Sequence, residues 1–127
     1  MVDLKILRRA MTVGVIFELI LVAMGHYRPR FKPTFELFSC MLIAGVAGLL
    51  YARDLARGYG AGVLGGAAIG AVCGLVAVAT ATLLGDRPDL YIPYGVMVST
   101  LTGIVGGLFG QFDAQLRVLI KSLQSGK

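Results

Sequence analysis

The longest apolar stretch of the chain, residues 58–84, carries a glycine at every fourth position at its start. Residues four apart lie on one face of a helix, so these glycines leave that face without side chains and let another backbone approach closely. Close approach of this kind is typical of packed membrane helices. The stretch therefore predicts a membrane helix against which other helices pack. The glycines at this four-residue spacing are Gly58, Gly62, Gly66, Gly70 and Gly74.

The composition of the chain is that of a membrane protein. Hydrophobic residues make up 57% of the 127 residues, charged residues only 15%, and the mean hydropathy is +0.80. The apolar residues fall into four blocks, each close to the roughly 20 helical residues that cross a bilayer core. We therefore predict an all-α fold, an integral membrane four-helix bundle that forms a single domain over residues 1–127. The predicted spans are residues 10–27, 35–51, 60–85 and 92–112.

The fourth block repeats the spacing of small residues seen in the third. We expect the third and fourth spans to form a close antiparallel hairpin with glycine-zipper packing along these faces. Small-residue ladders are widespread in membrane helices, so the pattern indicates no particular family. The small residues of the fourth block are Gly95, Ser99, Gly103 and Gly107.

The last segment, residues 113–127, changes in character. Apolar residues recur there at helical spacing and form one stripe, with polar residues on the other faces. We expect an amphipathic helical tail that lies on the membrane surface or docks on a partner. The stripe consists of Phe112, Leu116, Leu119, Ile120 and Leu123.

The first block resembles a secretory signal peptide in having a basic start followed by an apolar run. Glu18 interrupts that apolar run, and the basic segment 26–32 stands where a cleavage site of small residues would be needed. We therefore expect the block to be retained as the first membrane span.

The positive charge of the chain, +5 in total, lies beside the predicted spans. Eight of the twelve basic residues fall on the side of the two termini, which predicts both termini in the cytoplasm, in a bacterial inner membrane. Because the charges form no stripe on a soluble surface, we expect the lipid bilayer and other membrane subunits or copies of the chain as partners, and no nucleic acid. Arg28, Arg30 and Lys32 are candidate contacts to lipid headgroups, or simple interfacial anchors.

Glu18 is the main candidate for chemistry, because by residue count it falls near the middle of the first span. A carboxyl group inside a membrane often serves as a proton or cation site. Alternatively, Glu18 is structural and, in its protonated form, makes a hydrogen bond across helices to Thr102 of the fourth span or to another polar group at similar depth. Both interpretations require Glu18 to face the interior of the bundle.

No catalytic, metal or nucleotide motif is present in the sequence. His26 is the only histidine, and Cys40 and Cys73 lack CxxC spacing, so we expect an interfacial histidine and two small core residues. The alternative for His26 is one ligand to a cofactor shared with another subunit. We predict no enzyme activity, no cofactor and no metal.

The sequence therefore favours a structural function. We expect an accessory or scaffold subunit of a larger membrane assembly, or a homo-oligomer. The alternative is a small oligomeric transporter or channel that uses Glu18, with Thr102, as its proton or cation site.

Overall fold

The computed structural model describes residues 3–28, 33–86 and 91–126. These residues form four helices: α1 (Leu4–Tyr27), α2 (Pro33–Leu55), α3 (Tyr59–Leu83) and α4 (Tyr91–Ser125). The prediction of an all-helical fold with four helices is confirmed. α4 has 35 residues and is therefore about 52 Å long, well beyond the ~30 Å of a bilayer core.

The ends of α1 and α3 follow from local sequence. Asp3 caps α1, because its carboxylate accepts hydrogen bonds from the backbone N–H groups of Lys5 (3.0 Å) and Ile6 (3.4 Å). α3 ends at Leu83, and Gly85, two residues further on, has a φ of 78°. The N–H of Asp86 donates to the carbonyl of Ala81 in the six-to-one pattern of a Schellman motif, which favours glycine at that position.

The helices run alternately up and down, and α2 and α3 occupy the centre. α1 packs against α2 and α3 on one side, and α4 packs against α2 and α3 on the other side. α1 and α4 make no close backbone approach to each other within the described residues. The antiparallel hairpin of α3 and α4 is the most extensive helix contact, followed by the parallel contact of α2 with α4.

Small residues fill the interior and large apolar residues face outward. Most of the buried apolar residues are alanine or cysteine, while leucine, phenylalanine, isoleucine and methionine side chains are exposed on all four helices. Three helices are long and apolar enough to cross a membrane, through Leu37–Leu55, Tyr59–Leu83 and Ile92–Ser125. α1 is not among the helices found in the described residues by this criterion. The chain is thus compatible with an integral membrane protein.

Candidate helix-packing site and buried carboxyl group

The glycines of α3 lie directly against the backbone of α4. A Cβ atom added at Gly66 would overlap the carbonyl oxygen of Gly103, and one added at Gly70 would overlap that of Ser99. At Gly62 the added atom would lie 2.9 Å from the carbonyl oxygen of Gly107. All three distances are shorter than carbon and oxygen atoms tolerate, so these positions accept only glycine without a shift of a helix.

The surroundings of Gly74, Gly95 and Gly58 differ from those of the three glycines above, because no backbone atom of a neighbouring helix lies within 3.0 Å of their Cβ positions. Near the end of α3, an added Cβ at Gly74 would lie 2.7 Å from the Cβ of Ser99, and one at Gly95 would overlap the side chain of Val78. Gly58 precedes α3, and no atom lies within 4 Å of its Cβ position. Its φ of 109° shows that it is needed for the turn between α2 and α3 rather than for close packing.

α4 also packs closely against α2, through Gly103 and through three glycines outside the predicted ladders, which are Gly45, Gly48 and Gly106. An added Cβ at Gly106 would overlap the carbonyl oxygen of Gly45, and one at Gly48 would lie 2.5 Å from that of Gly103. Gly103 therefore touches both α2 and α3. The spacing of Gly106 and Gly110, which adjoins the predicted ladder, is the sequence signal for this second contact.

α2 and α3 meet through one large side chain instead of a glycine pair. Tyr51 is fully buried and has the largest fully buried side chain among the described residues. A Cβ added at Gly65 would overlap the Tyr51 ring, so Gly65 makes the space that the ring fills. No sequence pattern connects these two residues, because they lie on different helices and Gly65 is off the main ladder.

Glu18 is fully buried where α1 meets α2 and α3. One turn before it, the Cβ position of Gly14 lies 2.8 Å from the Sγ of Cys73, on α3. The thiol of Cys40, on α2, interacts with the Glu18 carboxyl group. Neither Glu18 carboxyl oxygen has a protein hydrogen bond of normal geometry within the described residues. An inward-facing Glu18 is what both sequence interpretations required.

Thr102 does not meet Glu18. Its hydroxyl donates to backbone carbonyls of its own helix, those of Ser99 (3.0 Å) and Val98 (3.2 Å). α1 and α4 lie on opposite sides of the central pair and make no close approach to each other within the described residues. The expected hydrogen bond between Glu18 and Thr102 is therefore absent, and Glu18 interacts with the thiol of Cys40 instead.

Gln111 joins three helices at the end of the bundle that contains the α2–α3 turn. Its side chain is buried, and its Nε2 donates to the carbonyl of Ala52 at 2.6 Å. Its Oε1 accepts from the N–H of Gly58 at 3.1 Å. The N–H of Gly58 lies just before α3, where it has no acceptor within that helix. The carbonyl of Ala52 also accepts from the N–H of Ala56 at 3.0 Å, so Gln111 adds a second bond there. Gln111 is the polar residue that the sequence analysis missed.

The opposite end of the bundle carries a charged contact between α1 and the end of α3. The Nδ1 of His26 lies 2.9 Å from Oδ2 of Asp86, and both side chains are about one-third exposed. Arg28 is exposed beside it, at the C-terminal cap of α1. Arg30 and Lys32 lie outside the described residues, so the expected lipid contact of these three residues stays a prediction.

No group of three or more metal-ligating side chains occurs within the part of the chain that the structure describes. No protein-family model, curated protein or solved structure matches this chain.

Proposed function

We propose that the chain is an integral membrane protein in which all four helices cross the bilayer. The distribution of side-chain sizes supports this proposal. A water-soluble bundle buries its leucines and phenylalanines, but here the interior holds glycine, alanine and cysteine while the large apolar side chains face outward. Lipid accepts such a surface, and small residues let the helices approach closely enough to pack without a hydrophobic driving force between them.

Two threonine hydroxyl groups support the same environment. Thr80 and Thr100 each donate to a carbonyl one turn back on their own helix, those of Val76 and Val96, at 2.6 Å. These bonds remove the need for water. α1 is included as a span because its exposed face is apolar, with Ile16, Phe17 and Ile20 among its exposed residues, while its one mid-helix charge points inward.

The glycine contacts form a glycine zipper in this proposal, and the protein functions without catalysis. It acts as an accessory or scaffold subunit of a larger membrane assembly, or as a homo-oligomer, in a bacterial inner membrane with both termini in the cytoplasm. The observation that carries this function is the backbone contact of α2, α3 and α4 around Gly103. We expect such an interior to be rigid, so that the outer surface keeps a fixed shape for neighbouring subunits to bind.

Native mass spectrometry of the protein extracted from its own membrane in mild detergent tests this function. We expect a complex of fixed stoichiometry, with copies of the chain or with other membrane subunits. Gly66→Leu should abolish the complex, because the added side chain would overlap the Gly103 backbone, and Gly60→Leu is the matched control because its Cβ position is open. A wild-type protein that always leaves the membrane as a monomer would refute the scaffold function.

A small transporter or channel is the second candidate, and buried Glu18 supports it. A fully buried carboxyl group without a normal hydrogen bond is poised to exchange a proton or bind a cation. If this candidate holds, Glu18→Gln abolishes proton- or cation-coupled flux in liposomes. Thr102→Val serves as the control, because Thr102 bonds only within its own helix. Wild-type liposomes that conduct nothing would remove this candidate.

A further inference from the structure

α4 continues as a helix after it leaves the bundle. Ala114 is the last buried residue, and every residue from 115 to 126 is exposed. We call residues 115–125 the α4 extension. At 1.5 Å per residue it projects about 16 Å past the contact with the α2–α3 turn. Gln111 and the hydrogen bond between Tyr59 and Gln115 (3.1 Å) fix its base to the bundle.

One face of this helix carries an apolar row that runs from the bundle into the extension. The row, which we call the seam, has alternating spacings of three and four residues, as at the a and d positions of a coiled coil. Its members are 41% to 72% exposed, so nothing within the described residues covers them. The seam consists of Phe109, Phe112, Leu116, Leu119 and Leu123.

The seam points away from the rest of the bundle. In the same heptad, Gly110, Gln111 and Ala114 occupy positions b, c and f, opposite a and d, and all three are buried. Gly110 lies against α2, and Gln111 binds α2 and the α2–α3 turn. A second helix can therefore lie along the seam without displacing any helix of its own chain.

The charges of the extension favour a second copy of this chain as the occupant. Arg117 and Lys121 fall at positions b and f, away from the seam, and Asp113 is paired with Arg117 at 3.0 Å. In the extension, the positions beside the seam hold Gln115, Ile120 and Ser122. Two parallel helices joined at the seam would therefore bring no like charges together there, which is the arrangement that permits self-pairing.

Two further observations fit the same occupant. Copies inserted in one membrane have the same orientation, so their extensions run parallel, as this pairing requires. Covering five large apolar side chains on each of two copies would bury on the order of 1,000 Å², about the minimum for a specific interface. A membrane surface fits less well, because α4 is an uninterrupted helix and its fixed base directs the extension along the bundle axis.

We propose that two copies of the chain pair through the seam, as a short parallel coiled coil that begins in the membrane and continues past it. This proposal rests on the proposed membrane insertion and names the partner that a scaffold of this kind holds.

Cysteine crosslinking in native membranes tests the pairing. In a background where Cys40 and Cys73 are replaced by alanine, Leu119→Cys places a thiol at the centre of the seam, and Val118→Cys places one at the neighbouring position c. Both side chains are exposed, so the two thiols differ in the direction in which they leave the helix and not in their accessibility to the oxidant. We expect mild oxidation to yield at least ten times as much disulfide-linked dimer with Leu119→Cys as with Val118→Cys. Equal yields, or no dimer with either variant, would overturn the pairing.

A second measurement separates the pairing from the membrane function on which it rests. Resistance to alkaline carbonate extraction reports insertion for each variant. If the chain resists extraction and Leu119→Cys forms no dimer, the pairing is wrong and the insertion stands; if the chain is extracted, the insertion itself is wrong. Protection of Leu119→Cys from a membrane-impermeant thiol reagent without dimer formation would assign the seam to the membrane surface and overturn the pairing.

The reverse change should break the dimer. Leu116→Glu with Leu123→Glu places charges on the seam, and native mass spectrometry should then show at least a tenfold loss of dimer. Val118→Glu is the matched control and should retain it. Circular dichroism checks that all variants keep their helices, and a dimer that survives both seam charges would contradict the proposal.

Discussion

The two sides of the central helix pair are held together by different kinds of contact. On the α4 side, the contact consists largely of backbone, with Gly103 against Gly66 and Gly48. On the α1 side, side chains such as Met11 and Val15 pack against the core, and a buried carboxyl group lies among them. Backbone contacts admit no added atoms, whereas side chains can adjust. The α4 side should therefore be the rigid part of the molecule, and the α1 side the adaptable part.

The largest effect is expected at Gly103, where α2, α3 and α4 meet. Gly103→Leu would place a side chain on the Gly66 backbone and should destabilise the fold by about 3 kcal/mol or more, the upper part of the range for overpacking. The midpoint of unfolding in a detergent–SDS titration measures this. Gly60→Leu, at an open position, should shift the midpoint little. If both variants behaved alike, the backbone contact would not be the rigid part of the molecule.

Gln111 is expected to come next, because it holds the same three helices together by hydrogen bonds. Gln111→Ala removes two side-chain bonds and leaves the N–H of Gly58 without this partner, at a cost of about 2 kcal/mol. The carbonyl of Ala52 keeps its bond from the N–H of Ala56. The same titration measures it. Gln115→Ala removes only the exposed bond to Tyr59 and should cost less than about 0.5 kcal/mol. Equal losses would show that burial of Gln111 is not what gives its bonds their strength.

On the adaptable α1 side, a substitution of Glu18 should raise the stability of the fold instead of lowering it. Because its carboxyl oxygens make no hydrogen bond of normal geometry, burying them costs free energy that Glu18→Leu would recover, so stability should rise by about 1 kcal/mol. Thermal unfolding in detergent measures this. A clear loss of stability instead would mean that Glu18 holds α1 in place through its polar contacts.

The smallest effect is expected at the contact between His26 and Asp86. Both side chains are partly exposed, and exposed ion pairs contribute roughly 0.2–1 kcal/mol. His26→Ala should therefore lower the unfolding midpoint only slightly, and Asp86→Ala should do the same. The double variant should lose no more than either single variant, because both remove one interaction. A loss above about 2 kcal/mol would show that this contact, rather than side-chain packing, holds α1 to α3.

Helix content and the glycine-bearing faces were accessible from sequence, because both depend on local periodicity. In the antiparallel hairpin of α3 and α4, small residues at the same height face each other. The pairs are Gly62 with Gly107, Gly66 with Gly103, and Gly70 with Ser99. Gly58 fits the same four-residue spacing, but its positive φ places it in a turn. Periodicity cannot distinguish these two uses of glycine, since it contains no information on where a helix begins.

Partners across helices could not be predicted in the same way. The sequence made Thr102 a reasonable partner for Glu18 because both are polar and at similar depth, but depth does not determine which helices are neighbours. The placement of α1 and α4 on opposite sides of the bundle decides that Glu18 faces Cys40 and Cys73 instead. Gln111 was missed for the same reason, since its partners are backbone groups on two other helices.

The sequence by itself determined that this chain forms apolar helices with small residues on particular faces, because hydropathy and spacing are properties of neighbouring residues. Only the tertiary structure decided which helix each face meets. In the folded bundle, Gly103 contacts α2 and α3, and Gly65 packs against the ring of Tyr51. The seam of α4 is exposed and has no partner within the described residues of its own chain. These choices depend on the order in which four helices pack, and that order is fixed by the fit of all the surfaces together.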